Sequence, residues 1–127
     1  AVKHASRVHV HLSLGQLRYL SLMAQVDAVV GNSSSGLYEA PSFRIPTVNI
    51  GDRQRGRIAP SSVLDCAPER AAIQSTLARA LALDCSAVVN PYGDGKSAGR
   101  IVAALAALPP RTVLLKKRFH LIEAPHG

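Results

Sequence analysis

Hydrophobic and polar positions alternate in blocks along the chain, and each block predicts an element. Arg7–Leu12 (RVHVHL) alternates apolar and polar residues, the period of a half-buried strand. Gln16–Val26 carries Leu17, Leu20, Met23 and Ala24 at the spacing of one helical face. Ala28-Val29-Val30 is short and wholly apolar, as in a parallel strand covered on both faces. Ser35–Phe43 predicts a short helix in which Pro41 must lie near one end or introduce a kink. Thr47–Ile50 is strand-like, and Val63–Leu64 predicts a last short strand. A helix is expected from Pro68, in its first turn, to about Leu83, with Glu69 favourably placed against the N-terminal dipole. Another runs over Lys96–Leu108 and stops at Pro109-Pro110. Short strands alternating with helices predict an α/β domain with a parallel sheet between helices.

Composition narrows the function classes. The chain has 127 residues, 47 % of them hydrophobic, enough for one domain with a core. It begins at Ala1, which suggests a piece of a longer protein. No apolar run approaches the roughly 20 residues that span a bilayer, so no membrane role is expected. The longest candidate, Ile101–Leu108, closes at the proline pair. Cys66 and Cys85 have no metal or redox spacing and are expected to be free thiols in a reducing compartment, the cytoplasm. The net charge of +7 suits an anionic partner. Nucleic acid is disfavoured, because Tyr19, Tyr38, Phe43, Tyr92 and Phe119 are scattered and no recognition motif accompanies them. Lys116-Lys117-Arg118 is expected to be a solvated tail.

Candidate chemistry gathers after the third predicted element. Gly31-Asn32-Ser33-Ser34-Ser35-Gly36 stacks hydroxyls and glycine where a strand gives way to a helix. In open α/β sheets ligands bind beyond the carboxyl ends of the strands, where small residues let an anion approach backbone N–H groups. A helix cap with incidental loop polarity would use the same residues. The next loop, "NIGDRQRGR", adds Arg53, Arg55 and Arg57, suited to bidentate capture of phosphate oxygens. Sequential strands usually lie side by side, so this loop is expected to face Asn32–Gly36. Glu39 is placed to accept two ribose hydroxyls. A serine cradle, a carboxylate and an arginine loop together suggest a nucleoside diphosphate pocket.

Other constellations carry less. His9 and His11 share a predicted strand face but lack a third ligand, so no metal site is expected. "NPYGDGKSAGR" (90–100) is glycine-rich but lacks the full phosphate-loop spacing. Asp94 is expected to cap the helix that follows, with Gly93 and Gly95 making the turn.

The segments "SLGQLRYLSLM", "GNSSSGLYEAPSFRIPTVNIGDRQRGR" and "NPYGDGKSAGRIVAAL" resemble the C-terminal half of the UDP-N-acetylglucosamine 2-epimerases, and most closely the hydrolysing branch of sialic acid precursor synthesis. The other branch carries an Asp-Ser-Gly-Gly turn in place of the serines. The resemblance runs from about His11 to Leu108, and the tail "LLKKRF" is similar to the family's C-terminal end. It implies a Rossmann-like parallel sheet with flanking helices, one half of a two-domain fold of the glycosyltransferase B type. Residues 1–108 are then the UDP-binding domain and 109–127 a tail. It further implies that Ser33 and Ser34 hold the diphosphate, with Ser35 and Gly36 in the same cradle. Glu39 would bind the ribose, and the main chain of Leu14 and the ring of Tyr19 would wall the uracil. Arg53 would act catalytically by stabilising the departing diphosphate. The implied reaction eliminates UDP across the C1–C2 bond and then adds water to the glycal, inverting C2 and releasing N-acetylmannosamine. The family's acid/base carboxylates match no position in this chain. No cofactor is implied, and the full-length protein is expected to form a homo-oligomer acting on UDP or a UDP-sugar. The competing reading is a non-catalytic basic α/β module that binds an anionic ligand or nucleic acid.

Overall fold

A computed structural model describes residues 5–117. They form two compact units that divide between Tyr92 and Gly93, and each is described by itself. The first contains helix α1 (Gly15–Met23), strand β1 (Val29–Gly31), the one-turn helix α2 (Ser35–Tyr38), strands β2 (Thr47–Ile50) and β3 (Val63–Cys66), and helix α3 (Arg70–Leu81). The second contains α4 (Ser97–Ala106) and the short α5 (Arg111–Leu114).

The sheet is parallel throughout, in the order β1-β2-β3. Val29 pairs with Thr47 and Gly31 with Asn49, while Thr47 pairs with Val63 and Ile50 with Cys66. Helix α2 packs on β1 and β2, and α3 packs on β2 and β3. The α/β class and the parallel sheet with flanking helices are therefore as the pattern predicts. Central β2 supplies the core, with Thr47, Val48 and Asn49 all buried beside Leu37, Ala40 and Ala80. A buried Asn49 is tolerable because its Nδ2 donates to Asp65 Oδ1 at 2.6 Å on the neighbouring strand.

Several boundaries differ from the predicted ones, each for a tertiary reason. Arg7–Leu12 is not a strand: a 3-10 turn, Ala5–Arg7, runs into irregular backbone, and Val10 and Leu12 are exposed. Alternation becomes a strand only when a neighbour completes the ladder, and among the described residues none pairs with this segment. Among the described residues the apolar strand β1 has a neighbour on one side only, and Val30 is 47 % exposed, so it is not covered on both faces. Helix α1 ends at Met23, and of its predicted face Met23 is buried whereas Leu17 is exposed. The predicted helix 35–43 breaks at Glu39 into α2 and a 3-10 segment, Ala40–Phe43. Pro41 has no N–H to continue an α-helical ladder from Leu37, which accounts for the break. Pro68 lies outside α3, whose N-cap is Glu69.

In the second unit Asp94 does not occupy the N-cap of α4, which is Lys96. It closes the preceding turn by accepting the Lys96 N–H at 3.0 Å, and clamps Arg100 with both carboxylate oxygens at 3.0 and 2.6 Å. The Lys96 amide first, and then the Arg100 guanidinium, hold its carboxyl below the ordinary range.

Both cysteines are free. Cys85 is buried, and burial, with the Asp84 charge beside it, pushes its thiol up; Cys66 is partly open. Thiolate is the reactive form. Brief alkylation near neutral pH followed by mass spectrometry is expected to label Cys66 well before Cys85, and equal rates would contradict the burial.

Candidate functional site

Strands β1 and β2 run in the same direction, so both release their chains at the same edge of the sheet. The Asn32–Ser34 turn leaves from Gly31 and the arginine loop leaves from Ile50. Gly51 makes the sharp departure with φ at 79°, a left-handed conformation that glycine adopts without strain, while its N–H donates to Cys66 O at 2.9 Å. The two loops are joined directly: buried Gln54 donates from Nε2 to Asn32 O at 2.7 Å. Gln54 Oε1 is buried and has no partner among the described residues.

The serine turn is closely organised. Ser33 Oγ accepts the Ser35 N–H at 3.3 Å, and Ser34 O accepts the amides of Leu37 and Tyr38, both at 2.9 Å. The amides of Ser33 and Ser34 make no hydrogen bond among the described residues. With α2 a single turn long, its dipole is small, so local N–H groups and hydroxyls are what this turn offers an anion. Gly36 is buried against β2, where an added Cβ would lie 2.5 Å from Thr47 Cγ2. Thr47 Oγ1 donates back to Gly36 O at 3.0 Å, fixing that approach. The hydroxyls of Tyr19 and Ser35 are hydrogen-bonded to each other, which ties α1 to the turn.

An open cleft of about 490 Å³ lies between Ser13–Gln16, Tyr19, Ser33 and Ser35. It brings together four of the sequence-predicted residues: Leu14, Tyr19, Ser33 and Ser35. Ser34 starts α2 beside it, and Gly36 underlies the turn. Glu39 follows α2 with one carboxylate oxygen buried and unpartnered. A second hollow of about 250 Å³ is walled by Asn49, Gln54, Arg55, Arg57 and Asp65. Arg53 lines neither space; it is exposed and makes no hydrogen bond or ion pair among the described residues. Arg55 and Arg57 are the arginines at the second hollow, and Arg57 is partly committed to Tyr38, donating to its hydroxyl at 3.1 Å.

Sequence reasoning passed over Gln54, Tyr38, Asn90 and Tyr92. Gln54 sits between two arginines in the quoted loop, where a lone amide among charges was a usable sign of an inward-facing position. Asn90 and Tyr92 open the glycine-rich segment read above as a turn. No group of three His, Cys, Asp or Glu side chains placed to hold a metal occurs among the described residues. No described helix is long and apolar enough to cross a membrane.

Residues 1–106 match the family model described as UDP-N-acetylglucosamine 2-epimerase. The UDP-N,N'-diacetylbacillosamine 2-epimerase (hydrolyzing) of Legionella pneumophila is 34 % identical over 110 residues, 87 % of this chain and 29 % of that protein. The GDP/UDP-N,N'-diacetylbacillosamine 2-epimerase (hydrolyzing) of Campylobacter jejuni is 44 % identical over 63 residues, 50 % of this chain and 16 % of that protein. Polysialic acid biosynthesis protein P7 of Escherichia coli is 45 % identical over 62 residues, 49 % of this chain and 16 % of its own length. The chain thus spans less than a third of each of these relatives.

Proposed function

The chain belongs to the UDP-N-acetylglucosamine 2-epimerase family, and on that premise we propose that it is the nucleotide-binding part of a hydrolysing 2-epimerase. Residues 1–108 would carry the UDP site and 109–127 a tail, within a full-length cytoplasmic homo-oligomer. One observation carries the reading: the serine turn and the arginine loop leave the same edge of a parallel sheet and are joined by the Gln54–Asn32 hydrogen bond. In this reading the uracil lies against Tyr19 and the Leu14 main chain in the open cleft. The diphosphate takes the free amides of Ser33 and Ser34, with the Ser35 hydroxyl and the Gly36 turn supporting them. Glu39, whose side chain is only partly enclosed, accepts the two ribose hydroxyls. Arg53, which makes no hydrogen bond or ion pair among the described residues, closes on the diphosphate from the adjoining loop.

Chemically this half would serve the leaving group. When a base removes the C2 proton and the C1–O bond breaks, negative charge gathers on the diphosphate. Fixed N–H donors and a guanidinium aimed at that charge lower the barrier. Water then adds its oxygen to C1 and a proton to C2 from the opposite face. Relatives named for diacetylbacillosamine and for polysialic acid synthesis mark two candidate sugars, and either would lie beyond the nucleotide contacts described above.

Isothermal calorimetry with UDP tests the reading. Arg53→Ala is expected to lose about 1.5–3 kcal/mol of binding, the range for hydrogen bonds to charged groups. Affinity should fall only modestly with salt, whereas a nucleic-acid surface would lose several decades through counterion release. Equal UDP affinity in both proteins would remove Arg53 from the site. Salt-steep binding to DNA or RNA without UDP binding would favour the non-catalytic module.

A further inference from the structure

The segment Asn90–Tyr92 makes contacts that a simple turn does not need. Asn90 spends both hydrogens of its amide on one stretch of chain, donating to Tyr38 O at 2.8 Å and Ser42 Oγ at 2.7 Å. Its Oδ1 accepts the Tyr92 N–H at 2.9 Å, which orients the tyrosine. Tyr92 then reaches the arginine loop, its hydroxyl donating to Ile58 O at 2.7 Å. The Tyr92 ring meets the Tyr38 ring edge-on, with centroids 4.3 Å apart. Arg57 completes the cluster, its guanidinium carbon 5.5 Å from the Tyr38 ring centre.

Three stretches far apart in sequence are therefore clasped together: 38–42, 57–58 and 90–92. The first contains Glu39, and the second lies in the loop that contains Arg53. That loop needs such a restraint. Between β2 and β3 it contains no helix or strand; its internal backbone bonds are local ones, Arg55 N–H to Asp52 O and Arg57 N–H to Gln54 O, and buried Gln54 anchors only its middle, on Asn32 O. The stretch beyond Gln54 has few other long-range bonds, and segments with few such bonds open readily and must be ordered again when they bind.

We propose that Asn90 and Tyr92 are positioning residues of the nucleotide site: Tyr92 holds the arginine loop and Asn90 holds the Glu39 segment, so that guanidinium and carboxylate are presented to one ligand before it arrives. This rests on the nucleotide reading above, and its test separates the two. Tyr92→Phe keeps the ring against Tyr38 and removes only the bond to Ile58 O. Hydrogen exchange of the Arg55 and Arg57 amides is expected to quicken about three- to tenfold, what one neutral hydrogen bond is worth. Exchange in β2 and β3 should not change. UDP affinity, measured by calorimetry on the whole chain, should fall by a similar factor, and that loss should vanish in an Arg53→Ala background. Asn90→Ala should also weaken UDP; because Asn90 orients Tyr92 as well as holding the Glu39 segment, its loss should shrink with either Arg53→Ala or Glu39→Ala and vanish only when both are present.

A merely structural role would give the same loss in every background, and that result would overturn the proposal. Unchanged exchange of the loop in Tyr92→Phe would overturn it as well. If the unsubstituted chain binds no UDP while the loop still loosens in Tyr92→Phe, the nucleotide reading falls, and with it the presentation of ligand groups, although the clasp itself stands.

Discussion

Residues 1–127 incubated with UDP-N-acetylglucosamine are expected to bind UDP and yet release no measurable N-acetylmannosamine. The cleft that collects Leu14, Tyr19, Ser33 and Ser35 is lined by main chain, hydroxyls, an amide and apolar groups, with no carboxylate, histidine or lysine. Elimination across C1–C2 needs a base within hydrogen-bond reach of the C2 proton. Glu39, the first carboxylate in the motif, is proposed to bind the ribose, which would keep it from C2. General-base catalysis contributes about 10²–10⁴-fold, and oriented approach several decades more. Their joint absence therefore places the rate below detection rather than merely lowering it. Joining the chain to a domain that carries the acid/base carboxylates should restore turnover. A coupled assay for free UDP, run beside UDP calorimetry, decides the matter. Turnover by residues 1–127, abolished by Glu39→Gln at unchanged UDP affinity, would make Glu39 the base and overturn its assignment to ribose.

Gly36→Ala is expected to destabilise the first unit by about 1–3 kcal/mol, the usual cost of overpacking a filled core, and to abolish UDP binding with it. On propensity alone the substitution should help, since alanine in a helix is favoured over glycine by about 1 kcal/mol. Contact decides otherwise. The new methyl would sit 2.5 Å from Thr47 Cγ2, and Thr47 is a fully buried, β-branched residue on the central strand with its hydroxyl bonded to Gly36 O. Its rotamer cannot turn aside without losing that bond. Either α2 lifts from β2 or the strand moves, and both displace the serine turn. Thr47→Ser deletes Cγ2 and keeps the hydroxyl, so the double variant Gly36→Ala/Thr47→Ser should regain part of the stability. Urea denaturation of the four proteins measures the coupling. Additive losses would show that the close approach of helix and strand is not what requires glycine.

How much of this was legible before folding depends on how far apart the interacting residues lie. Strand β2 was legible because four residues with a strand pattern sit between Pro46 and Gly51, and the start of β3 and the body of α3 were legible for the same local reason. The candidate turn and loop were legible as well: glycine and serine after an apolar run, and arginines after the next, signal their chemistry within a few contiguous residues. The family was carried by the same motifs, and the match over residues 1–106 agrees with it.

Exposure and pairing were not legible in this way. The apolar Val30 predicts a covered strand, but its cover depends on which strand lies at the edge, and that is a property of sheet order. The alternation in Arg7–Leu12 predicts a strand, but a ladder needs a partner that no local pattern names. The bonds that organise the site join residues distant in sequence: Tyr19 to Ser35, Asn32 to Gln54, Tyr38 to Asn90 and Ile58 to Tyr92. Sequence by itself determined the α/β class, the family and the residue types available for an anion, because periodicity, turn residues and motif spacing are local. Tertiary structure alone decided which of those residues share a cleft, that Arg57 is committed to Tyr38 while Arg53 has no partner among the described residues, and that Gly36 admits no side chain. The reason is physical: hydrogen bonds and van der Waals contact act over a few ångströms of space, and only the folded backbone converts separations of tens of residues into distances that short.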